Sequence, residues 1–215
     1  MAAEVMTYDS LLDDVERYAN RSSDAVFIAQ IPRLVMLAEN RIAAEVRGLG
    51  FLKAVTDSFI INQQVFSKPA RWRETYSFNY GDGASNAERV FLKLRSYEFC
   101  RTYWPNPTLY DAPKFYSDYD YTHWLLTPTP DAAYPFELLY HERPLPLSDD
   151  NQTSWTTEYQ PQLILYATML EAMIFLKDDS RKAMWQGEYD RAAQQVQFEE
   201  KKRESDREAN TEKTT

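Results

Sequence analysis

Cysteine is nearly absent from this chain of 215 residues. Cys100 is the single one, so no disulfide can form within the chain and nothing points to an oxidising compartment. Histidine is scarce too, with only His123 and His141, and a metal site built on clustered imidazoles has little to draw on. Glycine occurs five times and forms no phosphate-binding loop; Gly81-Asp82-Gly83 reads as a turn, because no Gly-Lys-Ser/Thr follows it. No apolar run is long enough to span a bilayer. The opening residues Met1 to Val5 lack the basic-then-apolar pattern of a signal peptide. The expectation is a soluble protein made in a cytoplasm, with no membrane contact. Positive charge is in deficit, at −9 net and a pI near 4.8. Sequence-independent nucleic-acid binding works by cations displacing counterions from phosphates, so DNA or RNA is a poor main partner, although DNA could pass nearby without sticking.

Aromatic residues are plentiful: fifteen Tyr, eleven Phe and five Trp. They are dense between about residues 51 and 150, where helical periodicity is missing. Before that stretch, Thr7 reads as a cap for a helix carrying Leu11, Leu12, Val15 and Tyr18 at helical spacing. Ser23 or Asp24 caps a second helix. Pro32 suits the first turn of a third, lined by Leu34, Leu37, Ala38, Ile42 and Val46 and stopped by Gly48 and Gly50. In the middle, Val55 to Val65, Trp72 to Tyr80, Val90 to Leu94, Phe115 to Tyr121, His123 to Leu126 and Phe136 to His141 read as strands, and Ser96 to Tyr103 as one short helix. After a polar loop, Pro161 opens a helix that is apolar nearly all round through Leu176, which belongs at the centre of a bundle. Asp178-Asp179-Ser180 starts another, with Ala183, Met184, Tyr189 and Ala192 on its face. Past Phe198 the chain is almost wholly polar and is expected to be disordered when free.

The fold class is therefore α+β, mainly α. Residues 1–50 and 151–198 supply a helical bundle, residues 51–150 a β-rich aromatic insertion, and residues 199–215 a charged tail.

Candidate chemistry is thin. Cys100 sits in an aromatic stretch without a base beside it, and it reads as a small apolar residue. The two histidines lack ligand spacing and read as structural. Acidic pairs occur at Asp118 and Asp120, Asp149-Asp150 and Asp178-Asp179. A carbohydrate hydrolase works with two carboxylates, and Asp118 and Asp120 in the aromatic middle are the pair that would serve it. Such pairs also arise by chance in an acidic chain, and Asp178-Asp179 fits a helix start. Asn151-Gln152-Thr153 matches a glycosylation sequon but reads as a loop. No dinucleotide fingerprint, nucleophile elbow or zinc spacing is present, so no cofactor, metal or catalytic residue is assigned.

Three stretches carry a resemblance. The first is Ile31-Pro32-Arg33-Leu34-Val35-Met36-Leu37-Ala38-Glu39-Asn40-Arg41-Ile42. The second is Leu139-Tyr140-His141-Glu142-Arg143-Pro144 with Leu147-Ser148, Trp155 and Pro161. The third runs from Leu163 to Ala172, then Phe175 to Asp179, with Trp185 and Tyr189 on the next helix. In order and spacing they resemble tailed-bacteriophage head–tail adaptor (connector) proteins, similar to the tail tubular protein A-like gatekeeper group. The resemblance is strongest from about 136 to 195, and the middle matches in general character only. It implies a virion protein at the head–tail junction, in a homo-oligomeric ring, usually of twelve copies, beneath the portal protein. It also implies a β-rich insert toward the tail or nozzle protein, a DNA channel, and a C-terminal segment reaching onto the portal or a neighbour. Met184, Trp185, Tyr189, Val196 and Phe198 are the expected portal or neighbour contact. Tyr116, Tyr119, Tyr121 and Trp124 are the expected tail-facing set. A binding module unrelated to virions is the remaining alternative.

Overall fold

The computed structural model describes residues 5–46, 49–81 and 88–211, with side chains described as far as Arg203 and not at Leu49. The chain divides into two compact units. One joins Met1–Phe51 to Pro144–Thr215, and the other is Leu52–Arg143. Helices lie at both ends and strands in the middle, an α+β fold.

The first unit is helical. Helix α1 (Tyr8–Ala19) begins where the Thr7 hydroxyl accepts the Ser10 N–H, while the Ser10 hydroxyl accepts the Thr7 N–H in return. It ends on Asn20 in the left-handed conformation. Helix α2 (Ala25–Ile28) is capped by Asp24. Helix α3 (Ile31–Glu45) has Pro32 in its first turn, where a missing N–H costs nothing. It stops at Val46, before Gly48, which lies outside the described residues. Gly50 sits in a 3-10 turn at Leu49–Phe51, against the Trp155 ring. Its role is close approach, not helix termination. Leu37, expected on the buried face of α3, is 40% exposed; the buried row is Ile31, Leu34, Val35, Ala38, Ile42 and Ala43.

After Pro144 the chain returns to this unit. Leu147 is buried in the helical core, and its N–H reaches both carboxylate oxygens of the buried Glu39 at 3.2 Å. Residues 144–150, grouped above with the insertion, thus pack with the helices, because an apolar Leu147 and a buried carboxylate on α3 satisfy one another. Helix α5 (Trp155–Tyr159) is short and had no periodicity to announce it. Helix α6 (Pro161–Leu176) packs against α1, α3, α5 and the last helix, α7 (Asp179–Thr211). Contact on so many sides explains why it has no polar face: nine of its residues from Leu163 to Met173 are buried. The inward row of α7 is Trp185, Tyr189, Ala193 and Val196. Ala183 and Met184, expected on that row, face solvent. Helical backbone continues through the charged segment to Thr211, although among the described residues none after Val196 belongs to the core.

The second unit is a two-sheet sandwich. One sheet has the order β1 (Leu52–Ser58), β8 (Pro135–Glu142), β3 (Trp72–Tyr80), β4 (Val90–Phe91). The other has the order β2 (Val65–Ser67), β7 (His123–Thr127), β6 (Phe115–Asp118), β5 (Lys93–Leu94). Pairs are antiparallel except β5 with β6. The run Val90 to Leu94, expected as one strand, is divided: β4 and β5 belong to different sheets, and buried Leu92 turns the chain between them. Aromatic side chains fill the interior. Phe78 lies 5.3 Å from Trp124 and 5.5 Å from Tyr116 across the sheets, and Phe66 lies 5.4 Å from Phe136. These edge-on and tilted arrangements match the quadrupoles of the rings. Strand β6 ends at Asp118, short of the expected Tyr121, and Ile61 lies in a turn instead of a strand. Most of the Gly81-Asp82-Gly83 turn lies outside the described residues. Helix α4 (Tyr97–Tyr103) is capped by the Ser96 hydroxyl, which accepts the Phe99 N–H.

Candidate functional site

The carboxylate pair in the aromatic middle is committed to structure. Asp118 accepts the Lys68 ammonium at 2.7 Å, and the same ammonium reaches the Asp120 carbonyl at 3.0 Å and lies 4.0 Å over the Trp72 ring. Asp120 closes the turn from β6 to β7. Desolvation would raise its pKa, but the Thr122 N–H, the His123 ring and the Thr122 hydroxyl outweigh it and hold the group at about 2. A carboxylate held there is ionised at neutral pH and has no proton to give a leaving group, so Asp120 does not supply the acid half of a two-carboxylate hydrolysis. His123 is turned toward Asp120 at 2.9 Å, whereas His141 belongs to the other sheet and packs edge-on against Tyr76. Cys100 is fully buried in α4. Among the described residues no group of three or more His, Cys, Asp or Glu is placed to hold a metal ion. Asn151 staples its own loop, donating to the carbonyls of Leu145 and Pro146.

The structure separates the tail-facing set into two. Tyr116 and Trp124 are core residues, 6.2 Å apart, and burial pushes the Tyr116 phenol up, with Asp118 adding to the effect. Tyr119 and Tyr121 are exposed on the turn after β6, Tyr121 at 72%. Tyr119 lies 6.2 Å from Tyr97, the first residue of α4. Here an aromatic surface begins that extends onto α4. Phe99 and Tyr103 stack at 5.9 Å, and Phe115 stands edge-on to both, at 5.2 and 5.1 Å. The Arg95 guanidinium lies over Phe99 and Phe115, and Arg101 over Tyr97. Of the seven residues of α4 only Cys100 is buried, so this short aromatic helix displays its rings.

The α7 set divides in the same way. Trp185, Tyr189 and Val196 are spent on the chain's own core. Trp185 meets Tyr18 and Tyr166, both at 5.8 Å. The Tyr189 hydroxyl donates to the Glu45 carboxylate at 2.6 Å, and burial, reinforced by that carboxylate, pushes the phenol far up. Arg41 ties Glu45 and Glu171 together at 3.5 and 2.6 Å. Met184 and Phe198 remain exposed, at 52% and 71%. Beyond Phe198 the described side chains are charged, and Arg203 pairs with Glu200 at 3.0 Å.

Charge is unevenly shared. The helical unit carries twenty-two acids against fourteen lysines and arginines, the β-rich unit eleven against ten. Nearly all of the acidity therefore belongs to the helices.

A sequence model of the family described as SU10 adaptor protein matches residues 6–213, almost the whole chain. No curated protein matches it. Among the described residues no helix is long and apolar enough to cross a membrane.

Proposed function

The chain belongs to the SU10 adaptor protein family, which makes it a phage structural adaptor, and from that premise we propose that it builds a ring between portal and tail. The ring has twelve copies, encloses part of the DNA channel and provides the seat for tail attachment. The observation that carries the reading is the division of labour within one chain. A helical unit with its own closed core ends in an arm none of whose described residues past Val196 joins that core, and a separate β-rich unit displays aromatic rings.

Each surface has a stated job. On α7, Met184, Phe198 and the segment that follows meet the portal or the neighbouring copy. Trp185, Tyr189 and Val196 contribute there by holding α7 straight on its own core. On the β-rich unit, Tyr119 and Tyr121 meet the tail or nozzle protein, together with Tyr97, Phe99 and Tyr103. Tyr116 and Trp124 support that surface from beneath. Exposed aromatic rings desolvate well and lose little side-chain entropy on docking, which suits them as anchors. Around a ring the same modest contact recurs at every copy, so weak interfaces add to firm attachment. The acid surplus of the helical unit supports a channel to which DNA does not adhere.

The test is direct. Purified chain is mixed with its cognate portal and the product is imaged by electron microscopy. A ring of twelve copies seated on the portal is expected. Free monomer beside a portal that is competent for assembly would defeat the proposal.

A further inference from the structure

The sandwich of the second unit is closed along one side and open along the other. At the closed side the chain passes from β4 through Leu92 into β5, and the two sheets share one continuous stretch. At the opposite side the outer strands are β1 and β2, joined at one end through residues 59–64, and among the described residues no strand lies between them. Residues paired directly across antiparallel strands share a face. Lys53, Val55 and Asp57 are opposite Tyr140, Leu138 and Phe136, all three of which point into the core. The row Lys53, Val55, Asp57 therefore faces inward as well, yet Lys53 and Asp57 are exposed and Val55 is only partly covered.

The uncovered space is a groove of about 280 Å³, with Val55, Asp57, Phe66, Lys68, Phe136 and Leu138 among its lining. Its rim is the free edge of β2. Leu126 donates to the Gln64 carbonyl and Lys68 donates to the Thr122 carbonyl, so the backbones of Gln64, Phe66 and Lys68 face β7. By alternation those of Val65 and Ser67 face the groove. The Val65 carbonyl is taken by the Gln63 amide at 2.7 Å. The Val65 N–H and both backbone groups of Ser67 have no partner among the described residues.

Charge selects the occupant. The Lys68 ammonium is neutralised by Asp118, and Lys53 by Glu142 at 3.2 Å. Among the described residues Asp57 accepts only the N–H of its own neighbour Ser58 and forms no ion pair. The groove thus offers an apolar floor, one unpaired carboxylate and a strand edge with free hydrogen-bonding groups. An inward charge on an edge strand deters indiscriminate pairing, and it also chooses among strands that could enter.

The geometry points to the seam between β1 and β2 as a docking site for an extended segment of a partner protein, added beside β2 and carrying an aliphatic side chain two residues from a lysine or arginine. The spacing follows from the pleat: side chains two apart share a face, as Val55 and Asp57 do. The aliphatic group covers Val55, Phe136 and Leu138, and the cation meets Asp57. The main-chain bonds go to Val65 and Ser67. This inference stands apart from the placement of the ring, since a chain that ignores the portal can still accept the segment.

The probe is the peptide acetyl-Thr-Val-Thr-Lys-Thr amide, titrated at up to millimolar concentration into the full isotopically labelled chain, with acetyl-Thr-Val-Thr-Glu-Thr amide as its counterpart. The Val65 and Ser67 amide signals are expected to shift and their hydrogen exchange to slow. The lysine peptide should bind about three- to fivefold more tightly than the glutamate peptide, the usual scale of one exposed ion pair. Asp57→Lys should invert that preference and Asp57→Asn should erase it, with amide signals of the helical unit unchanged in both. Unmoved Val65 and Ser67 amides, or a preference indifferent to the charge at position 57, would overturn the inference.

Discussion

Single side chains in this protein are decided by what lies against them. At Gly50 any Cβ would overlap the Trp155 ring, which itself stands edge-on to Phe51 at 5.2 Å. Gly50→Ala should lower stability by about 1–3 kcal/mol, the range for forcing extra volume into a packed site, and thermal unfolding would register it. The first turn of α7 hangs on Asp178. The Ser180 hydroxyl, the Arg181 guanidinium and the Arg181 N–H hold this carboxylate at about 2. The sign follows from linkage. A carboxylate depressed in the folded state stabilises the fold fully above its ordinary range near 3.8, and that stabilisation is lost as pH falls through about 2. A carbon-detected titration should give a midpoint near 2 for Asp178, and Asp178→Asn should flatten the acid limb of the stability curve. Tyr189→Phe removes the hydroxyl that Glu45 accepts. Because Glu45 is partly exposed, the loss should be about 1 kcal/mol by chemical denaturation, the scale of an ordinary hydrogen bond and below that of a buried bond to a charged group.

Helix α7 is the element where stability and function separate. Its inward row ends at Val196, and no described residue past Phe198 belongs to the core. A chain ending after Phe198 should therefore keep its melting temperature within about 2 °C, the scale of surface changes, while losing attachment to the portal. A large fall in melting temperature would show that the arm serves the fold instead. Gly187 lies within the helix with open space where a Cβ would sit. Gly187→Ala should raise stability by up to about 1 kcal/mol through helix propensity, seen as a higher melting temperature. Loss of ring assembly in that otherwise stabilised variant would mark Gly187 as a place where another chain approaches closely.

The whole molecule is two cores on one chain. One is built on α6 and its neighbours, the other on the rings between two sheets. Leu170→Ala and Leu138→Ala each empty a fully or almost fully buried site and should each cost about 2–5 kcal/mol. Native-state hydrogen exchange should confine the loss to the unit that carries the substitution. Spread of either effect across both units would show them to be one cooperative block. At this scale the uneven charge also matters: with the acid surplus on the helices, salt should relieve repulsion among copies and favour ring formation, which sedimentation across a salt series would measure.

Local signals sufficed wherever one residue type does one job. Thr7 and Asp24 as caps, Pro32 and Pro161 in first turns, and the apolar α6 were all legible because capping, proline geometry and burial act within a few residues. The layout of helices around strands was legible for the same reason, since periodicity is a local property. Which aromatic rings face outward was not. Trp185 and Met184 are adjacent on α7, and Tyr116 and Tyr119 lie three residues apart, yet in each pair one is core and the other surface. That choice depends on where a second element lies, as does the seam left open beside β1, which no pattern in Leu52–Ser58 announces. Amino-acid order determined which segments are helix or strand and that the chain is an acidic adaptor. Only the tertiary structure decided which of its many rings are spent on the core, because burial is a relation between segments far apart in the chain.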